Sequence, residues 1–205
     1  MKKLLMVAMA LLVATSTIFA DNYEKRAKKQ AKEMTSGKKE PAWMVAPSAK
    51  PLDMQLERKF RMEDEMNEEG EPKWMIADGM SVAENYEMAK KQALSMAIEN
   101  LAHTIQSSVA EQIEKSGGNQ SLGPDEAATA LKMITASTQW ITNTIGKVTT
   151  VVECYQRLPN KNYNVSVTIA YSEKRAKDGA KQGLRDALEK EGKLLNSQID
   201  KVVNF

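Results

Sequence analysis

The sequence predicts an α+β fold, a small antiparallel sheet of about three strands packed on one long helix, with additional N- and C-terminal helices. Three observations predict it. Tyr86, Ala89, Ala93, Ala97, Leu101, Ile105, Val109 and Ile113 recur at spacings of three and four, one helical stripe sustained for about 30 residues. Tyr163, Val165, Val167, Ile169 and Tyr171 alternate with Asn164, Ser166, Thr168 and Ala170, the period of a half-buried antiparallel strand. A turn at Leu158–Lys161, built on Pro159-Asn160, joins that strand to the apolar run Val148–Arg157 and makes a hairpin.

The elements follow in order. Residues 1–20 read as a cleavable secretory signal peptide: Lys2 and Lys3, the apolar run Leu4–Ala14, a polar patch, then Ala20 before Asp21. The run is shorter than the roughly 20 apolar residues a bilayer span takes, and no later stretch is apolar enough to cross. Residues 21–70 form an N-terminal arm. Its first part holds seven Lys or Arg against four acids between residues 21 and 40 and has few bulky apolar side chains. That composition predicts an exposed helix outside the core, with peripheral contact to an anionic membrane as the lesser reading. Leu52, Leu56, Phe60 and Met62 then mark an amphipathic helix over Leu52–Met66, which ends in Glu63, Asp64, Glu65, Glu68, Glu69 and Glu71.

The arm contains an echo. Pro41-Ala42-Trp43-Met44-Val45-Ala46 returns as Pro72-Lys73-Trp74-Met75-Ile76-Ala77, and each copy reads as a short strand with its Trp and β-branched residue on one face. The first copy is expected to dock as an added strand on a sheet edge, in its own chain or a neighbour's. The domain proper spans residues 71–205. It opens with a strand at Trp74–Met80, and Ser81 with Glu84 forms a capping box for the long helix, which stops at Ser116-Gly117-Gly118. Asp125–Ile145 reads as one helix and Ser172 as the N-cap of a last one, with Ala176, Ala180, Leu184, Leu188 and Leu195 as its stripe.

Composition narrows the function. The chain has 29 basic and 27 acidic residues; the signal peptide removes two lysines and no acid, leaving 27 of each. A neutral mature chain lacks the basic surplus that phosphate neutralisation needs, so nucleic acid is not an expected partner. The single cysteine, Cys154, lies in an apolar run and is expected to be buried. With one His and one Cys an ordinary zinc site is excluded, and the acidic cluster lacks the alternating ligands and early glycine of a calcium loop. His103 falls off the apolar stripe, and Ser116-Gly117-Gly118-Asn119 follows a helix instead of opening one, so neither a general base nor a phosphate loop is indicated. Met62 and Met66 read as packing residues, not as copper ligands. No catalytic, cofactor-binding or metal residues are therefore expected. Trp43, Met44, Trp74 and Trp140 are the candidate interaction residues.

Pro72-Lys73-Trp74-Met75-Ile76-Ala77-Asp78-Gly79, a helix of spaced alanines, and then Leu101-Ala102-His103-Thr104-Ile105 together resemble the LPP-twenty family of bacterial envelope proteins. The resemblance runs over roughly residues 72–171 and rests on packing residues, so it imports no catalytic group. It implies a dodecin-like sheet wrapped around a helix, in small exported lipoproteins and flagellar-associated domains. The chain departs from that pattern by lacking a lipobox cysteine and by adding the arm. The expected function is a non-catalytic cell-envelope module, in the periplasm or at the outer membrane, that self-associates or binds an envelope protein. The alternative is a small-ligand or lipid carrier with an apolar cleft between helix and sheet.

Overall fold

The computed structural model describes residues 22–36, 41–47, 49–118, 123–136, 138–192 and 194–203; residues 1–20, the expected signal peptide, lie outside them. A helix α1 over residues 22–35 leads to strand β1 (Met44–Val45), helix α2 (Leu52–Asp64) and strand β2 (Trp74–Ala83). The long helix α3 (Tyr86–Gly118), α4 (Pro124–Ala136) and α5 (Thr138–Thr144) follow. The hairpin β3 (Thr149–Arg157) and β4 (Tyr163–Ser172) leads to α6 (Glu173–Glu191) and α7 (Asn196–Val203). The strands form one antiparallel sheet in the order β1-β3-β4-β2. The α+β class stands, with four strands instead of about three. The fourth is the first copy of the echo.

The long helix lies on one face of the sheet because its inward residues are small. Ala89, Ala93 and Ala97 are fully buried, and β2 passes beneath them at Gly79. A Cβ on Gly79 would stand 2.1 Å from the Ala93 carbonyl oxygen and 2.4 Å from the Ala97 nitrogen, so only glycine permits this approach. Further along, Leu101, Ile105, Val109 and Ile113 extend the same core. They meet Ala130 and Ile134 of α4, Ile141 of α5, Leu184 and Leu188 of α6, and Ile199 and Val202 of α7.

The opposite face has its own core, and here the expectation for the arm fails. Residues 22–35 are not a solvated helix. Ala27 is 1 % exposed and Ala31 9 %, and both pack with Leu52, Leu56, Phe60 and Met62 of α2 onto Val151, Val152, Cys154 and Ala170 of the sheet. Small residues spaced by four let the helix sit close without a bulky apolar face, and Tyr23 and Met34 complete the contact. The Arg26 guanidinium lies 3.8 Å from the centre of the Phe60 ring, so a basic residue of the arm shields the core it was expected to leave. A β-bulge between Thr150 and Val152 turns Val151 and Val152 to the same side, giving β3 two adjacent residues in this layer. As a result β4 is covered on both faces at one end. Val167 to Tyr171 are buried in succession, where the alternation predicted a half-buried strand.

Other boundaries shift for local reasons. Ser81 does not cap α3; it remains in β2 opposite Val165, and the cap is Asn85, whose Oδ1 accepts the Met88 N–H at 2.9 Å. Asp125–Ile145 is two helices, not one, α4 ending at Ala136 and α5 beginning at Thr138. Ser172 caps α6 as expected, accepting the Arg175 N–H at 3.4 Å. That helix stops at Gly192, in the left-handed region at φ 68°. Leu195 consequently sits outside the stripe and is exposed, while Ile199, Val202 and Val203 of α7 take the buried role. No helix among the described residues is long and apolar enough to cross a membrane.

Candidate functional site

The two copies of the echo occupy the two outer edges of the central hairpin. The first pairs with β3, Met44 opposite Tyr155 and Val45 opposite Cys154; the second opens β2 on β4, Met75 opposite Tyr171 and Ile76 opposite Ala170. In both, the Trp and the β-branched residue face the second core, as their alternation predicts. The added strand is thus supplied within the chain. Trp43 donates its backbone N–H to the Met34 carbonyl at 3.1 Å, which ties the strand to the end of α1. Met44 is 40 % exposed at the rim.

Trp74 is a structural anchor. Its Nε1–H donates to Glu65 Oε2 at 2.7 Å, while Lys73 Nζ meets Glu65 Oε1 at 2.5 Å. Both contacts, Lys73 first, hold the Glu65 carboxyl below its ordinary range. Trp140 belongs to α5, which packs against α3 and α6 on the other side of the sheet; its side chain lies outside the described residues. The structure therefore brings Trp43 and Trp74 into one layer, while α5, the helix that carries Trp140, runs on the other side of the sheet.

The edges differ in how their backbone groups are satisfied. Along β3, β1 covers residues 154 and 155, and Gln156 Nε2 donates to the Pro41 carbonyl at 2.6 Å. Beyond β1 a buried side chain takes over: Gln55 Oε1 accepts the Glu153 N–H at 2.7 Å, and Gln55 Nε2 donates to the Lys50 carbonyl at 2.6 Å. Along β2 the cover is thinner. Asn100 Nδ2 donates to the Asp78 carbonyl at 2.8 Å, so that carbonyl turns away from β4. Alternate residues of an antiparallel strand turn both backbone groups to the same side, so Met80 and Val82 also present theirs outward. There the described residues place no further strand.

A groove of about 730 Å³ follows this open edge, lined by Asp78 to Val82, Met96 and Asn100, and by Asn164 and Ser166 of the neighbouring strand. Met80, Val82 and Met96 line it, each between 45 and 50 % exposed. Single exposed methionines are ordinary. Three half-exposed apolar side chains at one unpaired strand edge form a patch. Asp78 at its end is already engaged, by Lys59 at 3.2 Å and by the Thr168 hydroxyl.

Compared with family models, curated proteins and solved structures, the chain matches none.

Other polar clusters satisfy themselves. A second groove of about 620 Å³, between the Met66–Lys73 loop and α6, mixes Glu68, Glu69 and Glu71 with Lys174, Lys177 and Lys181. Lys177 bridges Glu71 at 3.1 Å and Glu173 at 3.2 Å. Among the described residues no group of three or more His, Cys, Asp or Glu is placed to hold a metal. His103 is exposed. Cys154 is 1 % exposed, and burial pushes its thiol up to about 12, far from thiolate chemistry.

One cluster was not legible beforehand. Tyr86, Tyr155 and Tyr163 meet with ring centres 5.3 to 6.3 Å apart, and the Tyr86 hydroxyl donates to Glu153, which Lys90 also bridges at 2.8 Å. Burial, then the Glu153 carboxylate, push the Tyr86 hydroxyl well above its ordinary value, so it stays a donor. Tyr86 lies 69 and 77 residues from the other two in sequence, and the pairing of β3 with β4 brings Tyr155 and Tyr163 side by side. They clamp the first turn of α3 to the turn end of the hairpin.

Proposed function

We propose that this protein is exported and serves as a non-catalytic cell-envelope module, acting through protein interactions: self-association, binding of another envelope protein, or both. One observation carries the reading. The arm folds back to close one sheet edge with β1 and Gln55, while the opposite edge stays open beside three half-exposed apolar residues. Natural sheets blunt exposed edges with charge, proline or cover, and an edge left apolar marks a place of contact.

The signal peptide supports export, with periplasm or outer-membrane association as the destination. The LPP-twenty resemblance over residues 72–171 agrees with it, and a four-stranded sheet carrying a long alanine-rich helix is compatible with a dodecin-like outline. The carrier reading is weaker. It needs a cleft between helix and sheet, and the close contact of Gly79 with Ala93 and Ala97 leaves no space there.

The test is expression of the full chain in a bacterial host, followed by fractionation, N-terminal sequencing and native mass spectrometry of the purified protein. The expected result is envelope protein beginning at Asp21, as an oligomer or with a co-purified protein. Cytoplasmic protein retaining residues 1–20, or a stoichiometric small ligand, would overturn the reading.

A further inference from the structure

We propose that the outer edge of β2, from Asp78 to Val82, binds an extended peptide by strand addition, an apolar segment with basic flanks supplied by a protein partner. The proposal rests on the interaction-module reading and names the partner class for this edge.

Backbone geometry supplies the first argument. Met80 and Val82 hold four outward N–H and C=O groups, which a fifth strand would pair. Asn100 closes the ladder at Asp78 and the start of α3 closes it beyond Ala83, so the open length suits a short strand and its register is bounded. Side-chain pockets follow. Met80, Val82 and Met96 with Asn164 and Ser166 shape the groove, and methionines repack around varied apolar side chains.

Charge identifies the flanks. Glu84 follows the last residue of the strand, and Glu99 stands next to Asn100 on the exposed side of α3. Among the described residues these two acids form no ion pair, whereas nearby Lys59 and Lys90 are held by Asp78 and Glu153. Lys91 is the one opposing exposed cation on this stretch, so the rim is acidic on balance. A basic-flanked segment is complementary to it.

Area and register argue against a second copy here. Three half-exposed apolar side chains make a patch on the order of a few hundred Å² at most, short of the roughly 800 Å² per partner of a stable dimer. Pairing β2 with its own twofold mate about Ser81 would also set Asp78 opposite Glu84, a like-charge contact.

The experiment titrates the purified chain against a fluorescent peptide, Lys-Lys-Val-Thr-Val-Thr-Val-Lys-Lys, followed by anisotropy. Saturable binding is expected, weakened at least about tenfold by Met80→Pro, which removes an outward N–H at a site where an edge strand tolerates proline. Val82→Lys, which places a cation in the groove, should weaken it as much, as should replacing the peptide's lysines with glutamates. Met54→Lys, at an exposed position on α2, should leave affinity unchanged. Unaltered circular dichroism keeps folding out of the comparison, and Val82→Lys decides alone if Met80→Pro does not fold. No saturable binding up to about 1 mM, undiminished binding to Val82→Lys, or a micromolar dimer lost in either variant would overturn the proposal. Peptide binding is read on purified protein, so its failure leaves the export result standing.

Discussion

The two edges of this sheet begin from nearly the same six residues and end in opposite states. At the β3 edge, Pro41–Ala46 contributes two paired residues and is held by Trp43 on Met34 and by Gln156 on Pro41. At the β2 edge, Pro72–Ala77 opens a ten-residue strand whose inner side is fully paired and whose outer side is not. The difference lies in what surrounds the motif. The first copy is embedded in a helical arm that covers its layer; the second runs on into Asp78-Gly79-Met80, where the glycine brings α3 so close above that the helix covers the face and leaves the rim bare. One motif can therefore cap an edge or extend one, depending on the chain that follows it.

The comparison breaks most completely at Phe60. Its ring is 2 % exposed at the centre of the arm's core, so Phe60→Ala should cost about 3 to 5 kcal/mol and loosen the cover over the β3 edge. Cys154 reports that loosening, because its thiol is buried beneath α2. In the parent chain it should resist a thiol reagent until the protein unfolds; in Phe60→Ala it should react at least about tenfold faster. Equal labelling rates would mean that the arm does not seal this edge.

Gly79→Ala tests the other edge at a somewhat smaller cost. The added Cβ meets backbone atoms of Ala93 and Ala97, which cannot swing aside as a side chain tip would, and about 3 kcal/mol is expected from urea denaturation. If β2 is an independent rim, Cys154 protection below the unfolding transition should remain as in the parent. A fall in protection would show that the two layers open together.

The elements on the helical side were readable because their periodicities are long. The stripe from Ala89 to Ile113 and the hairpin with its Pro159-Asn160 turn were both evident and both hold. The arm was misread for a physical reason: Ala27 and Ala31 contribute burial without hydrophobic bulk, so their stripe disappears among seven basic residues. The Ser81-to-Glu84 capping box was a false signal, because strand pairing to Val165 outcompeted it. Of the candidate residues, Trp43, Met44 and Trp74 mark the motif whose two copies take the two sheet edges. The open rim did not show, since whether a strand is an edge depends on sheet order, which local pattern does not specify.

Gln55 separates side-chain cover from strand cover at the β3 edge. Gln55→Ala leaves the Glu153 N–H and the Lys50 carbonyl without their partners at a site only 7 % exposed. A loss of about 1 to 3 kcal/mol is expected. Hydrogen exchange should rise at the Glu153 amide and stay low at Tyr155, which lies opposite Met44 of β1. Uniform acceleration along β3 would instead show that the glutamine holds β1 in place.

The smallest effect is electrostatic and lies where the second motif enters its strand. Glu65 is held below the ordinary carboxylate range by Lys73 and then by Trp74, so its folded form binds a proton less readily than the unfolded chain does. A lowered carboxylate contributes stability that is fully present above its unfolded value, about 4.3, and is lost as pH falls through its folded value. Because the pair is largely solvent-exposed, screening limits the contribution to under about 1 kcal/mol. Glu65→Gln should therefore be less stable than the parent near neutral pH, and the difference should shrink as pH falls below the unfolded value. The Lys73 contact is lost in that variant, while an amide oxygen can still accept the Trp74 N–H. Trp74→Phe, which keeps the ring's apolar contacts but removes that donor, divides the effect between charge and hydrogen bond. A pH-independent difference in Glu65→Gln would assign it to packing at the entry of β2, and the anchor of the open edge would then be apolar, like that of the closed one.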